Sequence, residues 1–332
     1  MKKITLLIIT IAFTIIIGCN PDENQNKTLL PVITGKTGEV VVVIDKNKLP
    51  KTSKALTEIF SEEYPMLPQY EPIFTYVPIP HNAFTNIFKT HRNLIIINIK
   101  KSIPEDSIKL FLKKNIWAAP QIILQAYAPN DSIMQKLLLE NKNYIINIIN
   151  EWELKRIKDT YKKNIEKNVL SKIENKFGIY LSVPKGFNIN IDTTNFMWIS
   201  RETTELSQGV IIFQYKYKDT SDFSIDSLIM KQNIFLRNFI KGPTFGSWMT
   251  IEKRIKPEIN YFTTNNIFKA KIRGLWKVEN DFMGGPFLSV SFTDKQRKKI
   301  LTIFGYVYAP KYNKREYIRQ IEAILSTATP LR

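Results

Sequence analysis

Thiols are almost absent from this chain. Its 332 residues hold one cysteine, Cys19, which rules out an intrachain disulfide and a cysteine-cluster metal site. Histidine is nearly as scarce, with only His81 and His91. Their spacing fits neither an HExxH zinc helix nor a pair on one helical face, so both read as surface histidines in polar stretches. A Ser-His-Asp triad would have to recruit one of them, and nothing local supports it. Walker A, GxGxxG, GxSxG and EF-hand signatures are missing, which removes the commonest nucleotide, acyl-transfer and calcium sites. No cofactor and no metal are therefore expected. The one near-unbroken apolar stretch, Ile4 to Ile17, is short of the roughly 20 residues that a transmembrane helix needs.

That stretch has the flanks of a cleaved secretory signal, with Lys2 and Lys3 before it and Ile16-Ile17-Gly18-Cys19 closing it. The closing sequence resembles the bacterial lipobox: an aliphatic residue, then a small residue directly before cysteine. The resemblance implies a signal peptide over residues 1–18 and a Cys19 thiol that is acylated as the first residue of the mature protein. It further implies a location in the bacterial cell envelope, on the periplasmic side of a membrane or at the outer-membrane surface. No free thiol would remain as a nucleophile or ligand. Asn20 to about Thr34 is polar and aperiodic and contains Pro21 and Pro31, so residues 19–38 read as lipidated cysteine plus flexible tether. About 15 such residues reach roughly 20 Å from a membrane. Asp22 and Glu23 resemble the acidic surface-export signal of some bacterial lipoproteins.

The formal charge is +18, a balance that can serve nucleic acid, anionic membranes or acidic glycans. Here lysine far outnumbers arginine, the residue suited to bidentate phosphate recognition, and isoleucine and asparagine are also abundant. The charge reads as solvation, and an exported protein does not meet chromosomal DNA, so no nucleic-acid partner is expected. With 44% hydrophobic and 12% aromatic residues, the chain can build real cores without disulfides.

The periodicities predict an α+β protein of two layered α/β units joined by a long helix. In the first, over 39–150, Val40–Asp45, Ile73–Val77, Leu94–Ile99 and Ile116–Ala128 read as strands. Lys51–Glu63 and His81–Thr90 read as helices, so one face of the sheet should be covered by helices. Asp131–Lys176 reads as one long helical region, whose part over 151–177 joins the units and stops at Gly178. The second unit, 178–328, shows strands at Ile179–Val183, Phe196–Arg201, Val210–Tyr217, Ile267–Val278, Phe287–Phe292 and Ile300–Tyr308. Helices are expected at Ile225–Ile240 and Lys314–Leu325.

The most distinctive stretches are two Gly-Pro clusters, Lys241-Gly242-Pro243 to Trp248 and Asp281 to Gly284-Gly285-Pro286. Consecutive glycines before proline mark unusual torsions or close approach. Trp248, Arg273, Trp276, Asp281, Gly284 and Gly285 form the candidate ligand or partner surface, because an aromatic beside a guanidinium suits planar or sugar groups. Tight turns with core tryptophans are the simpler alternative. Asp45, Glu62, Glu63, Glu71, Glu202, Glu205 and Asp281 supply carboxylates for a paired-acid hydrolase, and none forms a diagnostic spacing. Asp106-Ser107, Asp131-Ser132, Asp192-Thr193 and Asp226-Ser227 resemble a bacterial O-glycosylation acceptor, although helix capping explains them first.

Gly35 to Val43, Leu67-Pro68-Gln69 with Glu71-Pro72, and the later GLW, DFMGGPF, GYVYAP and KREYIRQ segments resemble a family of envelope lipoproteins that carry a domain of unknown function. That resemblance spans nearly the whole mature chain and implies location and architecture, not an activity. Ile179 to Phe187 is similar to the opening of PsbP-like α/β/α sandwiches, which implies fold only. The expectation is a non-catalytic ligand- or protein-binding module, held at a membrane through Cys19, with an envelope protein or glycan as partner. The alternative is an envelope hydrolase that uses paired carboxylates.

Overall fold

The computed structural model describes residues 29–294, 296 and 298–331. The expected signal peptide, Cys19 and most of the tether lie outside the described residues. The chain is α+β, as its periodicities predict, with two main sheets.

The first sheet has five strands in the order β2-β1-β3-β5-β4. They are β1 (Glu39–Val43), β2 (Thr75–Ile79), β3 (Asn93–Ile99), β4 (Lys109–Lys114) and β5 (Ile122–Ala128), of which only β4 runs antiparallel. Continuous β-branched runs such as VVVVI suit parallel strands that are buried on both faces. Val40, Val42 and Ile44 accordingly pack on one side with Leu56, Ile59 and Phe60 of α1 (Pro50–Phe60). Val41 and Val43 pack on the other with Leu94 and Ile96, under Phe84, Phe88 and Trp117. Helix formation over His81–Thr90 is limited to a 3-10 turn and α2 (Asn86–Lys89), because Thr85 is fully extended. β4 escapes the periodicity because its KLFLKK alternation is that of a lysine-protected edge.

The long helical region divides into α3 (Asp131–Glu140), α4 (Lys142–Lys163) and α5 (Lys167–Phe177). The expected joining helix breaks where Ile165 bridges Pro184 and the Glu166 amide donates to the Val183 carbonyl. Gly178 ends α5 in the left-handed conformation. From Pro31 onward the expected tether is docked: Ala119 N donates to Pro31 O, and Thr34 bridges His91.

After β6 (Ile179–Tyr180) come β7 (Asn188–Thr193), β8 (Phe196–Glu202), β9 (Ser207–Lys216) and α6 (Ile225–Phe239). β10 (Trp248–Ile251), β11 (Glu258–Thr264), β12 (Ile267–Glu279), β13 (Gly284–Thr293) and β14 (Lys299–Tyr308) follow, then α7 (Arg315–Leu325) and β15 (Thr329–Pro330). β7 to β14 form one antiparallel sheet ordered β10-β12-β13-β14-β9-β8-β7, with β11 also paired to β12. β15 pairs β6 separately. Strict alternation divides the residues between two cores. Val210, Ile212, Leu288, Val290, Leu301 and Ile303 pack with α5 and α7. Ile211, Phe213, Phe287, Ile300 and Phe304 pack with Leu228 and Leu236 of α6.

The proline-rich link between α1 and β2 enters the second unit. Tyr64 and Leu67 belong to the core that α7 covers. Both carboxylate oxygens of Glu71 accept from the first amides of α7, at Lys314 N (2.5 Å) and Arg315 N (2.9 Å). Arg319, fully buried, lies between the Tyr64 and Phe74 rings at 5.4 Å from each centroid.

Candidate functional site

Positions along β12 alternate between the two faces, and this separates the residues that were expected together. Trp276 faces α6, is buried, and donates from Nε1 to the Val307 carbonyl at 3.2 Å. Its ring meets Tyr306 edge-on at 5.4 Å. Gly285 lies opposite Trp276 in register, and a Cβ there would collide with the Val307 carbonyl oxygen. The double glycine is thus a close approach of three strands around an indole. Arg273 projects from the other face, where Nη2 donates to Glu322 Oε2 at 2.9 Å and the guanidinium lies 5.3 Å from the Tyr64 centroid. Trp248 is on the edge strand, stacked with Arg237 at 4.6 Å.

The two Gly-Pro clusters do meet. Thr244 Oγ1 donates to Asp281 Oδ2, and Asn280 Nδ2 lies 3.5 Å from Gly246 O. The Thr244 hydrogen bond holds the Asp281 carboxyl below its ordinary pKa. Phe245 and Phe282, at the tips of these braced loops, are fully exposed. Behind them is a pocket of about 250 Å³ lined by Trp198, Trp276, Tyr306, Met283, Glu202 and Pro243, among others. Trp198 Nε1 donates to Tyr306 Oη at 3.1 Å, and burial pushes the Tyr306 hydroxyl up to about 12.

A larger cleft, of about 890 Å³, opens where β11 and β12 meet the segment that leads into α6. The β11–β12 hairpin turns on Asn265 and Asn266, both at positive φ (52° and 61°), which is the torsion pair of a tight two-residue turn. Cross-strand pairing then sets Tyr261 diagonal to Phe268, their rings nearly parallel (13°) at 5.7 Å between centroids. Both are half-exposed, at 47%. Phe223 meets Phe268 edge-on at 5.2 Å, and Tyr261 Oη donates to Phe223 O at 3.0 Å. Thr220, Ser224, Thr263, Asn266, Thr293 and Asp294 add hydroxyl, amide and carboxylate groups. Periodicity could not show this cleft, because its walls come from four segments remote in sequence, around Phe223, Tyr261, Thr293 and Pro330.

Elsewhere the titratable groups are tied to separate partners. Glu62 pairs Lys142, Glu71 caps α7, Glu202 accepts from Ser200, and Glu205 takes Lys311 and Tyr312. Asp45 lies 3.6 Å from His81, which is exposed. His91, in contrast to the sequence reading, is buried: Nε2 lies 3.6 Å from Glu39 Oε2, and burial lowers its pKa. Among the described residues no group of three or more His, Cys, Asp or Glu side chains is placed to hold a metal ion. Asp131 does act as a cap partner, because Oδ1 accepts from Thr52 N (2.9 Å) and Oγ1 (2.6 Å) at the start of α1.

No curated protein matches the chain. Among solved structures, the human StarD13 (DLC2) lipid transfer and protein localization domain aligns at 8% identity with a TM-score of 0.23, covering 50% of this chain and 96% of that one. A likeness this remote carries no argument. Residues 33–162, which hold the first sheet, match a family described as a domain of unknown function (DUF8532), and residues 166–327, which hold the second, match another, DUF4837. The chain thus matches two domains of unknown function, one around each main sheet, consistent with an uncharacterised family.

Proposed function

We propose that this chain is a non-catalytic binding protein of the bacterial envelope, tethered to a membrane by acylation of Cys19, whose ligand occupies the Tyr261–Phe268 cleft. The observation that carries the binding reading is the pair of parallel, half-exposed rings that wall a cavity of about 890 Å³. A concave apolar site with a few convergent polar groups is where a small ligand gains most from burial. The rings are held by the Tyr261–Phe223 hydrogen bond and by hairpin pairing, so little ordering cost falls on binding. The envelope reading rests on Lys2 to Cys19. No helix among the described residues is long and apolar enough to cross a membrane.

Phe268→Ala is the direct test. It removes half of the aromatic wall at an exposed position, so the fold should survive while ligand-induced thermal stabilisation is lost. Full retention of stabilisation would refute the site. For the anchor, labelled palmitate should enter the wild-type chain and fail to enter Cys19→Ser. Equal labelling, or equal membrane recovery of the two, would refute tethering.

A protein partner is the second reading, favoured by Phe245 and Phe282 standing fully exposed on loops that Thr244 and Asp281 brace together. Cross-links from benzoylphenylalanine at position 245 in intact cells would support it, and their absence would remove it.

A further inference from the structure

We propose that the cleft between Phe223, Tyr261 and Phe268 takes an uncharged carbohydrate, with pyranose rings lying on the Tyr261 and Phe268 faces. This rests on the cleft being the binding site and specifies its ligand class.

The charge of the walls favours a neutral ligand. The chain carries a formal +18 with 48 lysines and arginines, yet among the described residues that line this cleft Asp294 is the one charged group. The Asp294 carboxylate lines the cleft, so a phosphate, a fatty-acid carboxylate or an acidic sugar seated beside it would meet a like charge. That carboxylate is fixed by Lys298 N (2.7 Å) and Lys299 N (3.0 Å) donating to Oδ1. The remaining oxygen, Oδ2, is an acceptor suited to a neutral hydroxyl.

The cleft also pairs flat rings with short neutral hydrogen-bonding groups. Tyr261 and Phe268 are parallel but 5.7 Å apart at their centroids, too far for direct face-to-face contact. They are offset-stacked, and each remains 47% exposed. A purely hydrocarbon ligand would leave Thr263, Asn266 and Thr293 desolvated without partners, at a cost comparable to a lost hydrogen bond for each. A sugar satisfies both halves of the wall. Its axial C–H face covers the rings, and its equatorial hydroxyls reach the hydroxyl, amide and carboxylate groups. The same three hydroxyl and amide side chains are both donors and acceptors, so they match a polyol in any orientation of its hydroxyl protons.

The test uses the mature full-length chain, by titration calorimetry and saturation-transfer NMR. The probes are neutral oligosaccharides (cello-, malto-, xylo- and chito-oligosaccharides), oligogalacturonate as the acidic sugar, and 8-anilinonaphthalenesulfonate with palmitate as non-sugar ligands. At least one neutral series should bind, with transfer to its axial protons. Phe268→Ala should weaken it about tenfold or more, the loss equivalent to one aromatic contact of roughly 1.4 kcal/mol. Asp294→Asn should weaken it less, and oligogalacturonate should not bind. Preference for oligogalacturonate, or sugar binding untouched by Phe268→Ala, overturns the assignment. If no sugar binds but anilinonaphthalenesulfonate or palmitate does, and Phe268→Ala abolishes that, the carbohydrate class is wrong while the cleft stands. If no probe of any class responds to Phe268→Ala, both fall.

Discussion

Replacing Arg319 tests how the two units are held together. The guanidinium has no solvent exposure. It donates to Glu316 Oε1 at 2.6 Å, to the Ile73 carbonyl at 3.3 Å and to Asn150 Oδ1 at 3.4 Å. Ile73 and Asn150 belong to the first unit and Arg319 to the second, so one side chain bonds across the boundary between the Tyr64 and Phe74 rings. Removing one partner of a buried pair costs about 3–5 kcal/mol, because the acceptors left behind stay desolvated. Arg319→Ala adds a cavity under two rings to that loss. Arg319→Met keeps most of the stem volume, and Glu316 keeps Arg315 Nε as a donor at 2.7 Å, so its cost should be roughly half. Urea and thermal unfolding followed by tryptophan fluorescence and far-ultraviolet dichroism measure both variants. The expected order is wild type, then methionine, then alanine, with the alanine variant melting on the order of 10 °C lower. An alanine variant within about 0.5 kcal/mol of wild type, or one more stable than the methionine variant, would refute the view that this buried cation joins the units.

Gly285→Ala should destabilise by about 1–3 kcal/mol, because the new Cβ meets the Val307 carbonyl oxygen, which is backbone and cannot rotate away; an unchanged urea midpoint would contradict the close approach. Glu322→Gln tests the charge cluster by pH. Burial pushes the Glu322 carboxyl up, but Arg273 and Lys271 more than offset it, leaving it below its ordinary 4.5. A depressed folded value means that the stabilisation is fully present above about pH 4.5 and is lost as pH falls through the lower folded value. The stability gap between wild type and Glu322→Gln should therefore be full at pH 7 and shrink on acidification below pH 4.5; a gap that holds or widens would refute the sign.

Local pattern made much of the architecture legible. The VVVVI and LIIINI runs read as buried strands, whose parallel pairing the structure supplies, and the three-to-four-residue stripe of α7 marked its core face. Gly178 stopped α5 because a left-handed residue was needed there. Elements that depend on neighbours were not legible. β4, β7 and β11 are polar edge or near-edge strands whose pairing is set by the partner, not by their own hydrophobicity. His91 looked solvated because its flanks are polar, yet docking of Gly35 and Glu39 against it removes the water.

The amino-acid order alone determined the α+β class, the alternation that feeds two cores, and the stop at Gly178, which ends α5 at positive φ. All of these follow from torsional limits and from side-chain period within one segment. Which charged residues would be buried, and which aromatic rings would share a cavity, was decided only by the tertiary structure. Arg319 is far along the chain from Tyr64 and Glu71, and Phe223, Tyr261 and Asp294 are far from one another. Arg273 and Trp276 are three residues apart and still separated by the thickness of a sheet, because an odd step along a strand reverses the face.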